Sequence, residues 1–206
     1  MQTSIATTSL AEAAWPAREG NKLLRSAVLV VVGVAFMTLC AKIQVPMWPV
    51  PMTMQTFGAL VIGAAYGWPL GALTVLGYLA SGFVGLPVFA GAAVPGPAYF
   101  LGTTAGYLDG FVVAAAIVGW LCEKRYWDRS PATAALAMLI GSAVIYAFGV
   151  AWLYTVLVVI RAVPGWDIMR VLNEGMIQFL VGDLVKLLLA AALLPVAWTV
   201  VRRFRD

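Results

Sequence analysis

Apolar runs of about 20 residues, separated by short polar or proline-rich segments, recur along the chain after residue 20. A transmembrane helix needs about 20 consecutive apolar residues to cross the hydrocarbon core of a bilayer. Only 11% of the residues are charged, whereas soluble domains carry about 25%, and the mean hydropathy is +0.94. The sequence therefore predicts an all-α, polytopic membrane protein, since the ten-residue alternation typical of transmembrane barrels does not recur.

Six transmembrane helices are predicted from these runs. Their expected bounds are residues 23–43, 55–66, 69–87, 104–122, 132–160 and 173–201. The connections between helices 1 and 2 (residues 45–53) and between helices 3 and 4 (residues 88–102) are rich in proline or in Gly, Ala and Pro. Proline lacks a backbone N–H and restricts the residue before it, so both connections are expected to be irregular.

The first 20 residues differ in composition from the rest of the chain. They are rich in Ser, Thr and Ala and lack the basic segment and apolar run that a signal peptide needs. We expect residues 1–20 to form a disordered cytoplasmic tail and residues 21–206 to form a single six-helix transmembrane domain that binds the substrate.

Lysine and arginine fall unevenly on the two sides of such a six-helix chain. One side carries nine of them: Arg18, Lys22, Arg25, Lys124, Arg125, Arg129, Arg202, Arg203 and Arg205. The other side carries only Lys42, Arg161 and Arg170. The positive-inside rule then places both termini in the cytoplasm and both irregular connections outside. Because the basic residues lie at helix ends, the sequence pI of about 9.3 does not indicate a nucleic-acid partner.

Two charged residues, Asp183 and Lys186, interrupt the last apolar run. An ionised group at mid-membrane costs about 2.5–3.5 kcal/mol on insertion scales, and residues at i and i+3 share a helix face. If this helix enters the membrane from outside near Asn173, Asp183 lies about 15 Å further in. The two irregular connections are expected to cover this site, because irregular backbone at membrane depth must be shielded by protein or line a cavity.

Several kinds of chemistry have no support in the sequence. The chain has no histidine, the commonest general base and a favoured ligand of zinc. Cys40 and Cys122 fall near opposite ends of their helices, and neither has a neighbour of metal-ligand type, so we expect neither a disulfide nor a metal site. A Gly-x4-Gly-Lys-Ser/Thr phosphate loop is absent. The sequence predicts neither an enzyme nor a cofactor.

Four segments are similar to motifs of one family of membrane proteins. They are Val45–Thr56, with Pro49-Val50-Pro51 and Gln55-Thr56, then Gly85–Gly91, Gly102–Leu108 and Gly182–Lys186. In this order and at these distances they resemble the biotin-specific substrate-binding (S) subunits of energy-coupling-factor (ECF) transporters, the BioY family. The resemblance covers residues 23–201. One departure is Gly-Thr-Thr-Ala-Gly-Tyr at residues 102–107, where the family usually has Gly-Pro-Thr-Gly-Gly-Tyr.

This resemblance implies a multi-pass protein of the bacterial cytoplasmic membrane that captures biotin with high affinity from outside and takes part in its uptake. It also implies protein partners, namely a transmembrane coupling subunit and two cytoplasmic ATPase subunits. The ATP would be hydrolysed by those partners, so biotin is expected as the transported ligand and not as a cofactor.

Biotin has a ureido ring with two N–H donors and a carbonyl, an apolar bicycle and a valerate carboxylate. A matching pocket needs an acceptor, a cation and apolar walls. Asp183 can accept a hydrogen bond from a ureido N–H, while Lys186 can meet either the ligand carboxylate or the ureido carbonyl. Further polar candidates are Gln55, Thr53 and Asn173, and the aromatic candidates are Trp48, Phe89, Tyr99, Tyr107 and Phe179.

Other interpretations stay open at this point. Asp183 and Lys186 can simply neutralise each other inside the bundle, an S subunit of this kind can serve another vitamin, and the chain can act as a self-sufficient biotin carrier. A remote alternative is an intramembrane aspartyl protease that uses Asp109 and Asp183. Lys186 argues against it, because a nearby cation favours an ionised Asp183 whereas a catalytic dyad shares a proton.

Overall fold

Eight α-helices and one β-hairpin make up the part of the chain that the computed structural model describes, residues 9–17, 20–91 and 96–204. The helices are α1 (Leu10–Ala14), α2 (Lys22–Lys42), α3 (Gln55–Tyr66), α4 (Trp68–Phe83), α5 (Ala105–Arg125), α6 (Pro131–Tyr154), α7 (Ile168–Gly175) and α8 (Leu180–Arg203). A π-helical stretch, Thr155–Ile160, extends α6. Short 3-10 turns precede α5, α6 and α8, at Pro97–Leu101, Trp127–Arg129 and Ile177–Phe179.

Within these residues, four helical stretches are long and apolar enough to cross a membrane. They are Lys22–Lys42, Ala105–Arg125, Pro131–Ile160 and Ile168–Arg203. Helices α3 and α4 are also apolar but shorter, with 12 and 16 residues. The prediction of a helical membrane protein with several apolar helices is confirmed in this form.

The proline-rich connection contains the strands β1 (Gln44–Val45) and β2 (Met52–Thr53), which are absent from the all-α prediction. They pair antiparallel, with Gln44 opposite Thr53, and the Trp48–Pro49 peptide bond at the tip is cis. The prediction that helix 3 ends near residue 87 is wrong by four residues, because α4 ends at Phe83. Gly85 follows with φ +97°, a conformation that stops a right-handed helix.

The predicted continuous helix 173–201 is wrong, because the chain breaks between α7 and α8. The carbonyl of Gly175, the last residue of α7, accepts a hydrogen bond from the Tyr107 hydroxyl at 2.7 Å. In a continuous helix that carbonyl would accept from the N–H of Phe179, which instead donates to the carbonyl of Met176. The 3-10 turn that results makes Asp183 a first-turn residue of α8.

Helix α1 differs from the disordered tail predicted for residues 1–20. Ala13 is buried, and the helix packs against α3 and α8. Glu12 forms an ion pair of 3.0 Å with Arg25 on α2, which ties this segment to the bundle. Residues 1–8 and 18–19 lie outside the described part of the chain, so the prediction is not tested there.

Helix α5 lies at the centre of the bundle and packs against α3, α4 and α6. Small residues allow the backbones to approach closely. A Cβ atom added at Gly63 on α3 would lie 2.8 Å from the Cα of Ala115 on α5, and one at Gly119 would lie 2.7 Å from the Trp68 nitrogen. Such close contacts are typical of membrane bundles, where packing replaces the hydrophobic effect as the main force between helices.

Candidate functional site

A cavity lies at the end of the bundle that carries the β-hairpin. The enclosed cavity volume is about 50 Å³, and the space between atoms is about 530 Å³ when the solvent-open mouth is included. It is lined by Val50, Pro51, Met52, Thr53, Gln55, Thr56, Ala90, Tyr99, Thr104, Tyr107, Leu108, Phe111, Ile145, Tyr146, Phe179, Asp183 and Lys186. The lining thus combines apolar and aromatic walls with a few polar groups, the usual character of a small-molecule site.

Asp183 and Lys186 form the charged part of this lining. The Lys186 ammonium lies 2.7 Å from the Asp183 Oδ1, and their side chains are only 11% and 9% exposed. The same ammonium donates a second hydrogen bond, of 3.2 Å, to the Thr56 hydroxyl on α3. The two side chains form an ion pair and both face a cavity. They can therefore contact a ligand in addition to neutralising each other.

Tyr146 on α6 completes the surroundings of the Asp183 carboxylate. Its hydroxyl donates a hydrogen bond to Oδ2, while Lys186 occupies Oδ1. Asp183 also lies in the first turn of α8, where the helix dipole favours a negative charge. Each carboxylate oxygen retains one further lone-pair direction, so Asp183 can still accept from a ligand.

The β-hairpin and the start of α3 form a hydrogen-bonded cover beside the cavity. The Gln55 side chain accepts from the Thr53 hydroxyl at 3.1 Å and donates to the Tyr78 hydroxyl at 2.8 Å, which in turn donates to the carbonyl of Val88 at 3.1 Å. Thr103 donates to the Pro49 carbonyl at the hairpin tip, at 2.7 Å. The tip of the hairpin and Val88, the first residue of the second connection, are thereby held against the bundle.

Aromatic side chains form the apolar walls in two layers. Tyr99 and Tyr107 line the cavity directly. Phe89, also predicted as a wall, is buried behind Tyr99, with its ring stacked at 4.5 Å between centroids. Burial raises the pKa of the Tyr99 hydroxyl, which lies outside the long helices, so this group stays neutral.

Two predicted site residues lie away from the cavity. Trp48 is 63% exposed, and its ring packs edge-on against Trp166 with 5.2 Å between centroids. Asn173 is exposed on α7 and is absent from the lining. Asp109, the second acid of the protease alternative, is exposed and also absent from the lining. The carboxylates of Asp109 and Asp183 therefore do not share this cavity.

The structure adds polar residues that the analysis of the sequence did not single out. Tyr146 has no distinguishing signal, since it is one of seven tyrosines and lies in an ordinary apolar run. Thr56 and Thr104 do have a signal, because both lie inside the family-like motifs. Thr56 directly follows Gln55, and Thr104 lies three residues before Tyr107.

The sequence of this chain is similar to those of known proteins. The profile of the BioY family matches residues 7–203. A protein from Thermotoga maritima named biotin transporter BioY is 34% identical over 157 residues, which cover 76% of this chain and 86% of that protein. One from Pyrococcus horikoshii, named probable biotin transporter BioY, is 36% identical over 159 residues, with coverages of 77% and 86%.

A solved structure has the same fold. The crystal structure of the S-component for biotin from an ECF-type ABC transporter matches with a TM-score of 0.72 and 24% identity, covering 92% of this chain and 95% of that one. The family profile spans the eight described helices and the listed residues of the cavity lining, and the predicted resemblance to this family is confirmed. The chain belongs to the BioY family.

Proposed function

We propose that this chain captures biotin from outside the cell and takes part in its uptake as the substrate-binding subunit of an ECF-type ABC transporter. The observation that carries the proposal is the buried Asp183–Lys186 pair facing a cavity with aromatic walls. The names of its relatives as biotin transporters support the choice of ligand. Membership of a transporter family also sets the protease alternative aside, and the chain is not an enzyme.

The proposed topology has six spans with both termini in the cytoplasm of a bacterial cell. Helices α3 and α4 supply the two shorter spans beside the four long helical stretches. Lys124 and Arg125 lie at one end of α5, and the cavity lies at the other end of that helix. The positive-inside rule therefore supports a cavity that opens to the outside. Residues 21–206 form one substrate-binding domain in this proposal.

The proposed partners are a transmembrane coupling subunit and two cytoplasmic ATPase subunits. The fold of an S-component from an ECF-type ABC transporter supports this assembly. The printed sequence contains no phosphate loop, so ATP hydrolysis falls to other polypeptides. Uptake of labelled biotin by cells that express this chain but lack the coupling proteins tests whether these partners are needed. Full uptake in such cells would favour a self-sufficient carrier.

In the proposed complex, Lys186 and Asp183 meet the polar groups of the ligand. An ammonium has three N–H donors, and Lys186 uses two of them on Asp183 and Thr56. The third is available to the valerate carboxylate or the ureido carbonyl of biotin. Asp183 accepts from a ureido N–H, while Tyr107 and Tyr99 cover the apolar bicycle.

We expect purified protein to bind biotin, and not riboflavin or thiamine, in isothermal titration. Asp183→Asn should weaken biotin binding at least about tenfold, because it replaces a charge-assisted hydrogen bond worth about 1.5–3 kcal/mol. Asp109→Asn is the matched control, since Asp109 lies outside the cavity, and should bind like the wild type. Equal binding by both variants, or tighter binding of another vitamin, would contradict the proposal.

Removal of the Tyr146 hydroxyl should weaken biotin binding without unfolding the protein. Tyr146→Phe deletes the donor on the Asp183 Oδ2 and frees the carboxylate to rotate, at an expected cost of about tenfold in Kd. Tyr154→Phe on the same helix is the control, because no hydrogen bond of the Tyr154 hydroxyl is found in the described part of the chain. Isothermal titration measures both, and an unchanged Kd for Tyr146→Phe would show that Tyr146 does not position Asp183.

A further inference from the structure

Tyr107, one wall of the cavity, packs against a helix position that has no side chain. That position is Gly149 on α6, where an added Cβ atom would lie 2.6 Å from the Cγ of the Tyr107 ring and closer still to its Cδ1 and Cε1. Carbon atoms in ordinary contact are about 3.5–4.0 Å apart. The ring therefore occupies the space that any side chain at residue 149 would need.

The tip of the Tyr107 ring is also fixed. Its hydroxyl donates a hydrogen bond of 2.7 Å to the carbonyl of Gly175, and a Cβ atom added at Gly175 would lie 2.8 Å from the same hydroxyl oxygen. The backbone of α7 thus blocks the ring at its tip. A ring pushed from residue 149 is left with the cavity that it lines as the open space beside it.

A second wall of the cavity has a similar support. At Gly82 on α4, an added Cβ atom would lie 2.8 Å from the Phe89 Cε1 and closer still to Cε2 and Cζ. The Phe89 ring is stacked on that of Tyr99, with 25° between the planes, and it also meets the rings of Tyr78 and Phe100. Of these three neighbours, Tyr99 is the one that lines the cavity. A push from residue 82 therefore moves Tyr99 into open space.

The backbone conformation at Gly82 and Gly149 does not require glycine. Both residues lie inside α-helices, and neither has a positive φ angle. Alanine adopts this conformation readily and has the higher helix propensity. An alanine at either position therefore changes the protein through the ring that its methyl group meets.

We propose that Gly149 and Gly82 limit the size of the ligand, because they determine how far the two aromatic walls reach into the cavity. This inference rests on the proposed function, in which Tyr107 and Tyr99 cover the bicycle of biotin. A methyl group at residue 149 would displace the Tyr107 ring by about 1 Å before an ordinary contact is restored. The enclosed cavity volume is only about 50 Å³, so such a displacement removes room from the ring system of the ligand.

Isothermal titration of the purified full chain in detergent, with biotin and with desthiobiotin, tests this inference. Desthiobiotin keeps the ureido ring and the carboxylate of biotin but lacks the sulfur atom that closes the second ring. In Gly149→Ala, the ratio of the Kd for biotin to the Kd for desthiobiotin should rise about tenfold, or ~1.4 kcal/mol, because a narrower apolar pocket discriminates against the larger ligand. In Gly82→Ala, which acts through two rings, the ratio should rise about threefold.

Gly33→Ala on α2 is the matched control for overpacking as such. A Cβ atom there would overlap the Thr74 Cγ2 about as strongly as one at Gly149 overlaps the Tyr107 ring, but Thr74 is not among the described residues of the cavity lining. Overpacking destabilises a well-packed core. Gly33→Ala should therefore lower the unfolding temperature and leave the ratio of the two Kd values unchanged.

Two results would overturn the inference while the proposed function stands. Equal weakening of both ligands in Gly149→Ala and Gly82→Ala would show that the two glycines only support folding. A shift of the ratio in Gly33→Ala as large as that in Gly149→Ala would show that any overpacking alters the cavity. Should Gly149→Ala not fold, Gly82→Ala alone decides the question through its expected threefold shift. A wild type that does not bind biotin would overturn the proposed function itself, and this inference with it.

Discussion

Replacement of Lys186 by methionine should weaken biotin binding at least about 100-fold, which corresponds to ~2.7 kcal/mol. The change removes the only cation among the described residues that line the cavity. Charge-assisted hydrogen bonds to a ligand contribute about 1.5–3 kcal/mol, and the Asp183 carboxylate also loses the partner 2.7 Å away that holds it in place. Isothermal titration with biotin measures the loss.

The same change should also lower the stability of the protein, because it leaves a buried carboxylate without its counter-ion. Breaking a buried ion pair costs about 3–5 kcal/mol, and for a chain of this length that corresponds to a fall of about 10 °C in the unfolding temperature. The double variant Asp183→Asn, Lys186→Met removes both charges together. We expect it to regain most of the stability and none of the binding.

Lys22→Met is the matched control for this experiment, since Lys22 is exposed at the start of α2. It should leave both biotin affinity and unfolding temperature unchanged. A Lys186→Met variant that binds biotin like the wild type would show that the pair only neutralises itself. Recovery of binding in the double variant would lead to the same conclusion.

The charged pair is the part of the site that the sequence predicts most directly. Asp183 and Lys186 stand out because every other charged residue lies outside or near the end of an apolar run, and a charge inside a membrane is expensive. The lining confirms that both face a cavity, together with Gln55 and Tyr107. Their contact with biotin stays a prediction.

The break between α7 and α8 shows where prediction from apolar runs fails. The residues from 168 to 203 read as one helix by composition. The helix ends at Gly175, whose carbonyl accepts a hydrogen bond from the Tyr107 hydroxyl, 68 positions away in the chain. Helix propensity depends on neighbouring residues only, so it does not predict a contact between residues this far apart in the chain. The expected depth of Asp183 is calculated for a continuous helix, which the structure does not have, and its place in the first turn of α8 comes from tertiary structure.

The aromatic residues illustrate the same limit. Large aromatic side chains serve as core, as wall or as membrane anchor, and the sequence does not separate these uses. Tyr107 lines the cavity, Phe89 lies one layer behind it, and Trp48 is mostly exposed against Trp166. Only the packing of the loops, which depends on bonds such as Thr103 to Pro49, determines which ring reaches the cavity.

Replacement of Gly63 by alanine should strongly destabilise the bundle. The added Cβ would lie 2.5 Å from the carbonyl oxygen of Ala115 and 2.8 Å from its Cα. Both atoms belong to the backbone of α5, so relief requires α3 and α5 to move apart rather than a side chain to rotate. Overpacking of this kind costs about 1–3 kcal/mol or more, and we expect the unfolding temperature in detergent to fall by about 5–10 °C.

Gly77→Ala on α4 is the matched control for the effect of the added methyl group itself. Its Cβ would meet only side-chain atoms, Val30 Cγ1 at 3.3 Å and Val34 Cγ2 at 3.5 Å, which can adjust by small rotations. In both helices alanine has the higher helix propensity, so the methyl group alone should stabilise slightly. Tryptophan fluorescence during heating measures both variants. Equal unfolding temperatures would show that the α3–α5 contact tolerates separation, whereas a loss confined to Gly63→Ala would show that the spacing of these two helices is fixed by this glycine.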